Sequence, residues 1–66
     1  MDIYFGGADV STARWIGRAN TLDEIYPIIR HFCDARDYKI PYIRRWEENG
    51  YVVFDVGSWT EFFYVK

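Results

Sequence analysis

The sequence predicts an α+β domain in which one α-helix packs on an antiparallel β-sheet, with the elements in the order β-β-α-β-β-β. Apolar residues recur at helical spacing in one segment only, which begins at Leu22. The segments on either side of it are short and rich in aromatic and β-branched residues, as strands are. Asn49-Gly50 lies between two of these segments and is the strongest short signal for a β-hairpin.

Two short strands are expected before the helix. Residues 2–5 alternate between the two faces of a strand, and Gly6-Gly7 ends that strand in a tight turn. These glycines lack the spacing of a phosphate-binding loop. Residues 12–19 alternate more weakly and form the second expected strand, with Trp15 on the face away from the neighbouring arginines.

The helix is expected over residues 21–36. Thr21 and Glu24 match a capping box, in which the Thr21 hydroxyl accepts the amide of Glu24 and the Glu24 carboxylate accepts the amide of Thr21. Pro27 is expected to remove one intrahelical hydrogen bond and to bend the first turn. The apolar stripe of this helix consists of Leu22, Ile25, Tyr26, Ile29, Phe32 and Cys33.

The rest of the chain predicts a C-terminal three-stranded antiparallel meander over residues 42–47, 51–56 and 60–65. A two-residue turn at Asn49-Gly50 fixes the register of the first hairpin. Its cross-strand pairs are Glu48 with Tyr51, Trp46 with Val53, and Arg44 with Asp55. The last pair joins opposite charges, which favours the pairing. A second turn is expected near Gly57-Ser58, and a two-residue loop there would set the register of the last strand.

This register divides the meander between two faces. The face expected to carry the helix has Ile43, Val52, Phe54, Val56, Phe63 and Val65. The opposite face has Tyr42, Arg44, Trp46, Tyr51, Val53, Asp55, Phe62 and Tyr64. Because one helix covers only one side of a sheet, this second face is expected to present aromatic rings and arginine to solvent. Such a composition is typical of the centres of protein interfaces.

Composition excludes several classes of protein. The chain of 66 residues forms one domain, residues 1–66, and a core of this size is marginal. Cys33 is the only cysteine and His31 the only histidine, so we expect neither a disulfide framework nor a metal site, and no cofactor motif is present. Because residues two apart on a helix do not face each other, this pair is not expected to be catalytic, and we expect no enzyme.

Charge and hydropathy exclude further classes of protein. The net charge of −2 is spread along the chain, which argues against a basic nucleic-acid binder and against an acidic mimic of nucleic acid. The first residues lack the pattern of a signal peptide, and no apolar run approaches membrane-spanning length. With one unpaired cysteine, these features predict a cytoplasmic protein that does not enter a membrane.

The leading hypothesis is a protein-binding module that acts through the second face of the sheet. Its candidate binding residues are Tyr42, Arg44, Trp46, Tyr51, Phe62 and Tyr64, together with Trp15. Another protein, or a second copy in a twofold homodimer, would cover this face, and a homodimer would also supplement the marginal core. A curved sheet that buries the rings within the monomer is the alternative.

A different class of function also fits the residues. A single-stranded nucleic-acid-binding domain would use four arginines and three stacking rings of the sheet. These residues are Arg14, Arg18, Arg44, Arg45, Trp15, Trp46 and Tyr42. Acidic side chains in the same strands would oppose a polyanion, so cross-strand ion pairs are the ordinary interpretation of these arginines.

The C-terminal part carries a resemblance. Residues 42–50 read Tyr-Ile-Arg-Arg-Trp-Glu-Glu-Asn-Gly, and residues 55–63 read Asp-Val-Gly-Ser-Trp-Thr-Glu-Phe-Phe. This ending resembles small proteins encoded by phages and prophages of Gram-positive bacteria. The resemblance implies an accessory protein that binds and inhibits a host protein, such as a component of a defence system, by covering a site or blocking an assembly.

Overall fold

The structure is a computed structural model that describes all 66 residues. Its elements are β1 (Asp2–Gly6), β2 (Arg14–Arg18), α1 (Ile25–Asp34), β3 (Arg44–Glu48), β4 (Tyr51–Asp55) and β5 (Phe62–Val65). A short 3-10 turn, Val10–Thr12, lies between β1 and β2. The five strands form one antiparallel sheet with α1 on one side, which confirms the predicted α+β class and element order.

The last strand occupies the centre of the sheet. The strand order is β2-β1-β5-β4-β3, so β5 pairs with β4 on one side and with β1 on the other. Phe5 of β1 pairs with Phe63 of β5, and Ile3 pairs with Val65. The two N-terminal strands therefore join the meander through β5, a contact between the two ends of the chain that no local sequence signal indicates.

The predicted β3–β4 hairpin is confirmed. Asn49 and Gly50 have φ angles of 51° and 81°, as both central residues of a type I′ turn require. The register matches all three predicted cross-strand pairs. Arg44 Nε donates a hydrogen bond to Asp55 Oδ2 at 2.9 Å, so the expected contact between opposite charges is formed.

The connection from β4 to β5 is longer than two residues and spans residues 56–61. Val53 therefore pairs with Tyr64, whereas a two-residue loop would pair Val53 with Phe62. The shift between these registers is an even number of residues. Since side chains alternate with a period of two, each side chain stays on its predicted face.

The core lies between α1 and the sheet. Its buried residues are Ile3, Phe5, Ala19, Ile25, Ile29, Cys33, Phe54, Val56, Phe63 and Val65. Phe63 is fully buried, and its ring centroid lies 4.9 Å from that of Phe5 and 5.5 Å from that of Phe32 on α1. The face of the meander expected to carry the helix supplies Phe54, Phe63 and Val65 to the sheet half of this core, and β1 supplies Ile3 and Phe5.

The helix begins later than the sequence predicts. The Glu24 amide donates to Thr21 Oγ1 at 3.4 Å, but the Glu24 carboxylate accepts the amide of Asn20 at 2.9 Å instead of the amide of Thr21. This pattern closes a turn before α1, and the helix begins at Ile25. The expected loss of a hydrogen bond at Pro27 is wrong, because Pro27 lies among the first four helical residues, whose amides have no intrahelical partner.

The helix also ends before residue 36. Asp37 has a φ of 56°, and its amide donates to the Asp34 carbonyl at 3.1 Å. The Tyr38 amide donates to the Cys33 carbonyl at 2.9 Å. These two bonds form a Schellman motif, which satisfies the last carbonyls of α1 and turns the chain back toward β3.

Gly57 is expected to tolerate substitution less well than Gly50. Both have positive φ, which costs an L-residue about 1–2 kcal/mol, but a Cβ on Gly57 would lie 2.5 Å from Pro41 Cγ, whereas a Cβ on Gly50 would meet open space. Overpacking costs about 1–3 kcal/mol more. We therefore expect Gly57→Ala to lower the free energy of unfolding by about 2–5 kcal/mol and Gly50→Ala by about 1–2 kcal/mol in urea titrations. Equal losses would contradict the close approach of Pro41.

Candidate functional site

The side of the sheet opposite α1 carries a layer of aromatic side chains. We call it the aromatic face, and its rings belong to Tyr4, Trp15, Tyr42, Trp46, Tyr51, Trp59, Phe62 and Tyr64. One row of directly paired residues crosses all five strands. In order, this row is Trp15, Tyr4, Tyr64, Val53 and Trp46. Directly paired residues lie on the same side of a sheet, so the row is continuous from one edge to the other.

The rings of this face hold one another in place. The Tyr51 ring lies edge-on to Tyr64 and Tyr4, with centroid distances of 6.0 and 6.4 Å. Phe62 lies 6.3 Å from Trp46 and 6.4 Å from Tyr64. All of these contacts except the tilted Phe62–Tyr64 pair are edge-to-face, and edge-to-face contacts are favourable beyond the area they bury. The half-buried rings at the centre of the aromatic face are therefore ordered by their own packing before any partner binds.

The predicted binding residues lie at different depths. Trp15 is 56% exposed and Tyr42 is 49% exposed, at opposite ends of the face. Arg44 is exposed, and Trp46, Tyr51 and Phe62 are half-buried. Tyr64 is only 5% exposed and donates its hydroxyl hydrogen bond to the Gly7 carbonyl at 2.5 Å. Tyr64 thus supports the surface from beneath and offers little area to a partner.

The connection between β1 and β2 covers part of this face. Ala8, Asp9 and Val10 line a small pocket together with Tyr51, Val53 and Tyr64, which places the connection over the sheet. Asp9 Oδ1 accepts the Ser11 amide at 3.0 Å and the Ser11 hydroxyl at 2.6 Å, and these bonds lower the pKa of Asp9. The monomer therefore buries the Tyr64 ring and the Val53 side chain, although the outer rings remain open.

Trp59 is a surface residue that the sequence hypothesis did not include. It is 94% exposed and lies in the connection from β4 to β5. It lines a groove with Tyr42, Arg44 and Phe62. A tryptophan placed among Gly57, Ser58 and Thr60 has no strand position to bury it, and that feature of the sequence could have identified it.

Arg44 is the best-anchored charge of the aromatic face. Its Nε donates to the carboxylate of Asp55, which is 4% exposed and also accepts the Gly57 amide at 2.9 Å. The guanidinium carbon lies 5.6 Å from the centre of the Trp46 ring and 6.0 Å from that of Tyr42. Contacts between a guanidinium and a ring face are favourable. The exposed part of Arg44 is therefore a positioned donor among aromatic rings.

The arginines of the nucleic-acid alternative do not line one surface. Arg18 shares the aromatic face with Trp15, contrary to the expected alternation, because the register of β2 with β1 shifts between Ile3 and Tyr4. The Arg18 Nε is 3.4 Å from Asp2 Oδ1. Arg14 pairs with Phe5, whose side chain points into the core, so Arg14 projects on the helix side. Arg45 also projects there and lies 6.0 Å from the Tyr26 ring. This distribution provides no continuous basic groove for a phosphate backbone.

The two reactive side chains of α1, Cys33 and His31, lie on different sides of the helix, one buried and one exposed. Cys33 is a core residue, and burial raises the pKa of its thiol, with a further rise from the charge of Asp34. His31 is exposed on the outer side of α1. No group of three or more His, Cys, Asp or Glu side chains is arranged to hold a metal ion. None of the helical structure is long and apolar enough to cross a membrane.

Comparisons with protein-family models, with curated proteins and with solved structures find no match to this chain. The resemblance of the C-terminal part to phage proteins therefore stays a prediction. The aromatic face and the open strand edges are the features from which a function can be inferred.

Replacing Tyr64 with Phe is expected to lower the free energy of unfolding by about 1 kcal/mol, since the Gly7 carbonyl loses its partner. Amide hydrogen exchange in residues 7–13 should become faster, because the connection loses its attachment to the sheet. Tyr51→Phe is the matched control, as the Tyr51 hydroxyl makes no hydrogen bond within the chain, and it should change neither quantity. Equal effects of the two substitutions would show that the Tyr64 hydroxyl does not hold the connection.

Alkaline pH is expected to destabilise the fold through Tyr64. Burial raises the pKa of Tyr64 above its ordinary value of 10.0, and the charges of Glu48 and Asp9 raise it further. The neutral form is thus favoured in the folded state, so this contribution to stability is complete below about pH 10 and is lost as pH rises through the folded-state pKa. Urea midpoints should fall above that pH, and less steeply in Tyr64→Phe. Tyr38 and Cys33, whose pKa values are also raised by burial, would account for the fall that remains.

Proposed function

We propose that this protein is a non-catalytic binding module that engages another protein through the aromatic face. The observation that carries the proposal is the set of exposed rings, Trp15, Tyr42 and Trp59, around a half-buried aromatic layer. Exposing such rings to water is unfavourable unless another molecule covers them.

The chemistry of the face fits a protein partner. Tryptophan, tyrosine and arginine are the residue types that contribute most to binding energy at protein interfaces. Arg44, anchored by Asp55, would offer its remaining N–H groups to acceptors on the partner, while the rings around it exclude water. Because the layer is ordered by its own packing, binding would cost little conformational entropy.

The resemblance to phage-encoded proteins makes a host protein the proposed target. In this proposal the module inhibits its target by covering a site or blocking an assembly, and components of host defence systems form one class of such targets. It acts in the cytoplasm of the host cell, and it associates with a second copy of itself as a homodimer.

Loss of the exposed rings is expected to abolish binding without unfolding the protein. Trp15→Ala, Tyr42→Ala and Trp59→Ala, combined in one variant, remove exposed rings. Trp15→Ala also removes the 3.0 Å hydrogen bond from Trp15 Nε1 to Asp2 Oδ1, which costs about 1 kcal/mol, and the other two substitutions should each change stability by less than about 0.5 kcal/mol. We expect quantitative mass spectrometry of proteins captured from a Gram-positive host lysate to show a target retained by the wild type and reduced at least tenfold with this variant.

The control carries Arg30→Ala and His31→Ala on the outer side of α1, where both residues are exposed. It should capture the target as well as the wild type does. If wild type, ring variant and control retain the same proteins in the same amounts, the aromatic face is not the binding site. The single-stranded nucleic-acid alternative predicts instead that a labelled oligonucleotide binds at low salt and dissociates steeply as salt rises.

A further inference from the structure

The sheet has two open edges, β2 and β3. An edge strand presents unpaired backbone N–H and C=O groups, and proteins usually protect such edges with a bulge, a proline or a repelling charge. The two edges of this sheet differ in this respect. β2 carries protection against self-pairing, whereas β3 carries a charge pattern that favours it.

The sequence of β3 is self-complementary in charge. The strand reads Arg44-Arg45-Trp46-Glu47-Glu48, with two cations before the central ring and two anions after it. We propose that two copies of this chain pair antiparallel through β3, about a twofold axis at Trp46, and join their sheets into one. Arg44 then lies opposite Glu48 of the second copy, and Arg45 lies opposite Glu47 of the second copy. Opposite charges directly across an antiparallel pair are favourable.

The backbone of β3 supports the same register. In a hairpin closed by a two-residue turn, the flanking residues Glu48 and Tyr51 form a hydrogen-bonded pair, and such pairs alternate along the ladder. Trp46 therefore turns its backbone groups toward β4. Arg45 and Glu47 turn theirs toward the open edge, and these two residues face each other in the proposed pairing. Each such pair exchanges both of its hydrogen bonds.

The charges of β3 favour the twofold axis at Trp46 over the axes at the two adjacent residues. Twofold axes at Arg45 or at Glu47 would also match the free backbone groups of the two copies. The first, however, places Arg45 opposite itself, and the second places Glu47 opposite itself. Like charges directly opposite are destabilising, so the axis at Trp46 is the one that both the backbone and the side chains favour.

The other edge does not favour self-pairing. β2 begins with Arg14 and ends with Arg18, so twofold antiparallel pairing would bring these two cations together. Its register with β1 also shifts between Ile3 and Tyr4, which bends the strand locally. With one self-complementary edge, association closes at a dimer and does not continue into a filament.

The proposed dimer leaves the aromatic face open. Trp46 and Arg44 project on that face, and a twofold axis perpendicular to the sheet keeps the aromatic faces of both copies on the same side. The two copies of Trp46 would be neighbours across the new junction, as non-hydrogen-bonded pairs are. This inference rests on the self-association included in the proposed function. It places the dimer interface at the β3 edge of the aromatic face, where Arg44 and Trp46 adjoin the second copy, and it leaves the rings on β1, β2 and β5 to a foreign protein.

Sedimentation velocity tests the pairing. Arg45 and Glu47 are the residues to change, because both are exposed and neither belongs to the Arg44–Asp55 pair. The wild type should dimerise with a dissociation constant at or below about 1 mM. Arg45→Glu and Glu47→Arg, made separately, should each weaken dimerisation about tenfold or more, because each places like charges opposite at two symmetric positions.

Combining the two substitutions distinguishes pairing through β3 from dimers that use another surface. The double variant R45E/E47R and an equimolar mixture of the two single variants should both dimerise about as well as the wild type, because opposite charges again face each other. Arg30→Glu, which makes the same charge change on the exposed side of α1, should have no effect.

Three results would overturn the pairing through β3. These are a wild type that stays monomeric at about 1 mM, single variants that dimerise normally, and a mixture that fails to recover. Glu47→Pro gives a second route, since it removes an amide that points to the open edge and should prevent dimerisation while circular dichroism stays unchanged. None of these substitutions removes an exposed ring, so their outcomes are independent of target capture by the aromatic face.

Discussion

The central constraint on this fold is that a two-sided sheet has a single helix to cover it. Strand β5 lies at the centre, and its adjacent residues Phe63 and Tyr64 point to opposite sides. Phe63 is buried beneath α1, where apolar residues at helical spacing form the other half of the core. Tyr64 has no helix above it and is covered by the connection after β1 and by neighbouring rings. The aromatic face follows from this asymmetry, because the rings that the connection does not reach stay open to water.

Local signals were sufficient to predict the helix stripe, the type I′ hairpin and the division of the meander into two faces. Asn49 and Gly50 both adopt the positive φ that a type I′ turn requires, and a two-residue turn at this position fixes the register of β3 and β4. The start of α1 was misjudged because the carboxylate of Glu24 can reach more than one amide, and only the folded chain shows that Asn20 is its donor. The placement of β1 beside β5 depends on contacts between the two ends of the chain, which no periodicity encodes.

The candidate site was predictable to the extent that it depends on strand alternation. The sequence leaves the length of the β4–β5 connection open, but a two-residue loop would give a register only two residues from the observed one, so the side of each ring is the same in both. Exposure was harder to predict, because it depends on what lies above each ring. Tyr64 is covered through a hydrogen bond to Gly7, a residue distant in sequence, and Trp59 lies in a connection to which strand alternation does not apply.

Two kinds of association can coexist on this sheet because they use different chemistry. Pairing at β3 would use backbone groups and the two cations and two anions of one strand, and would bury little of the aromatic face. A foreign partner would use the rings of that face, and Arg44, which Asp55 already holds in place, lies at the border between the two interfaces. A twofold pair presents two such faces side by side on one surface, so a target with two equivalent sites at matching spacing would gain affinity from simultaneous binding. The geometry of β3 would then determine which assemblies the protein can bind, because it sets the distance between the two faces.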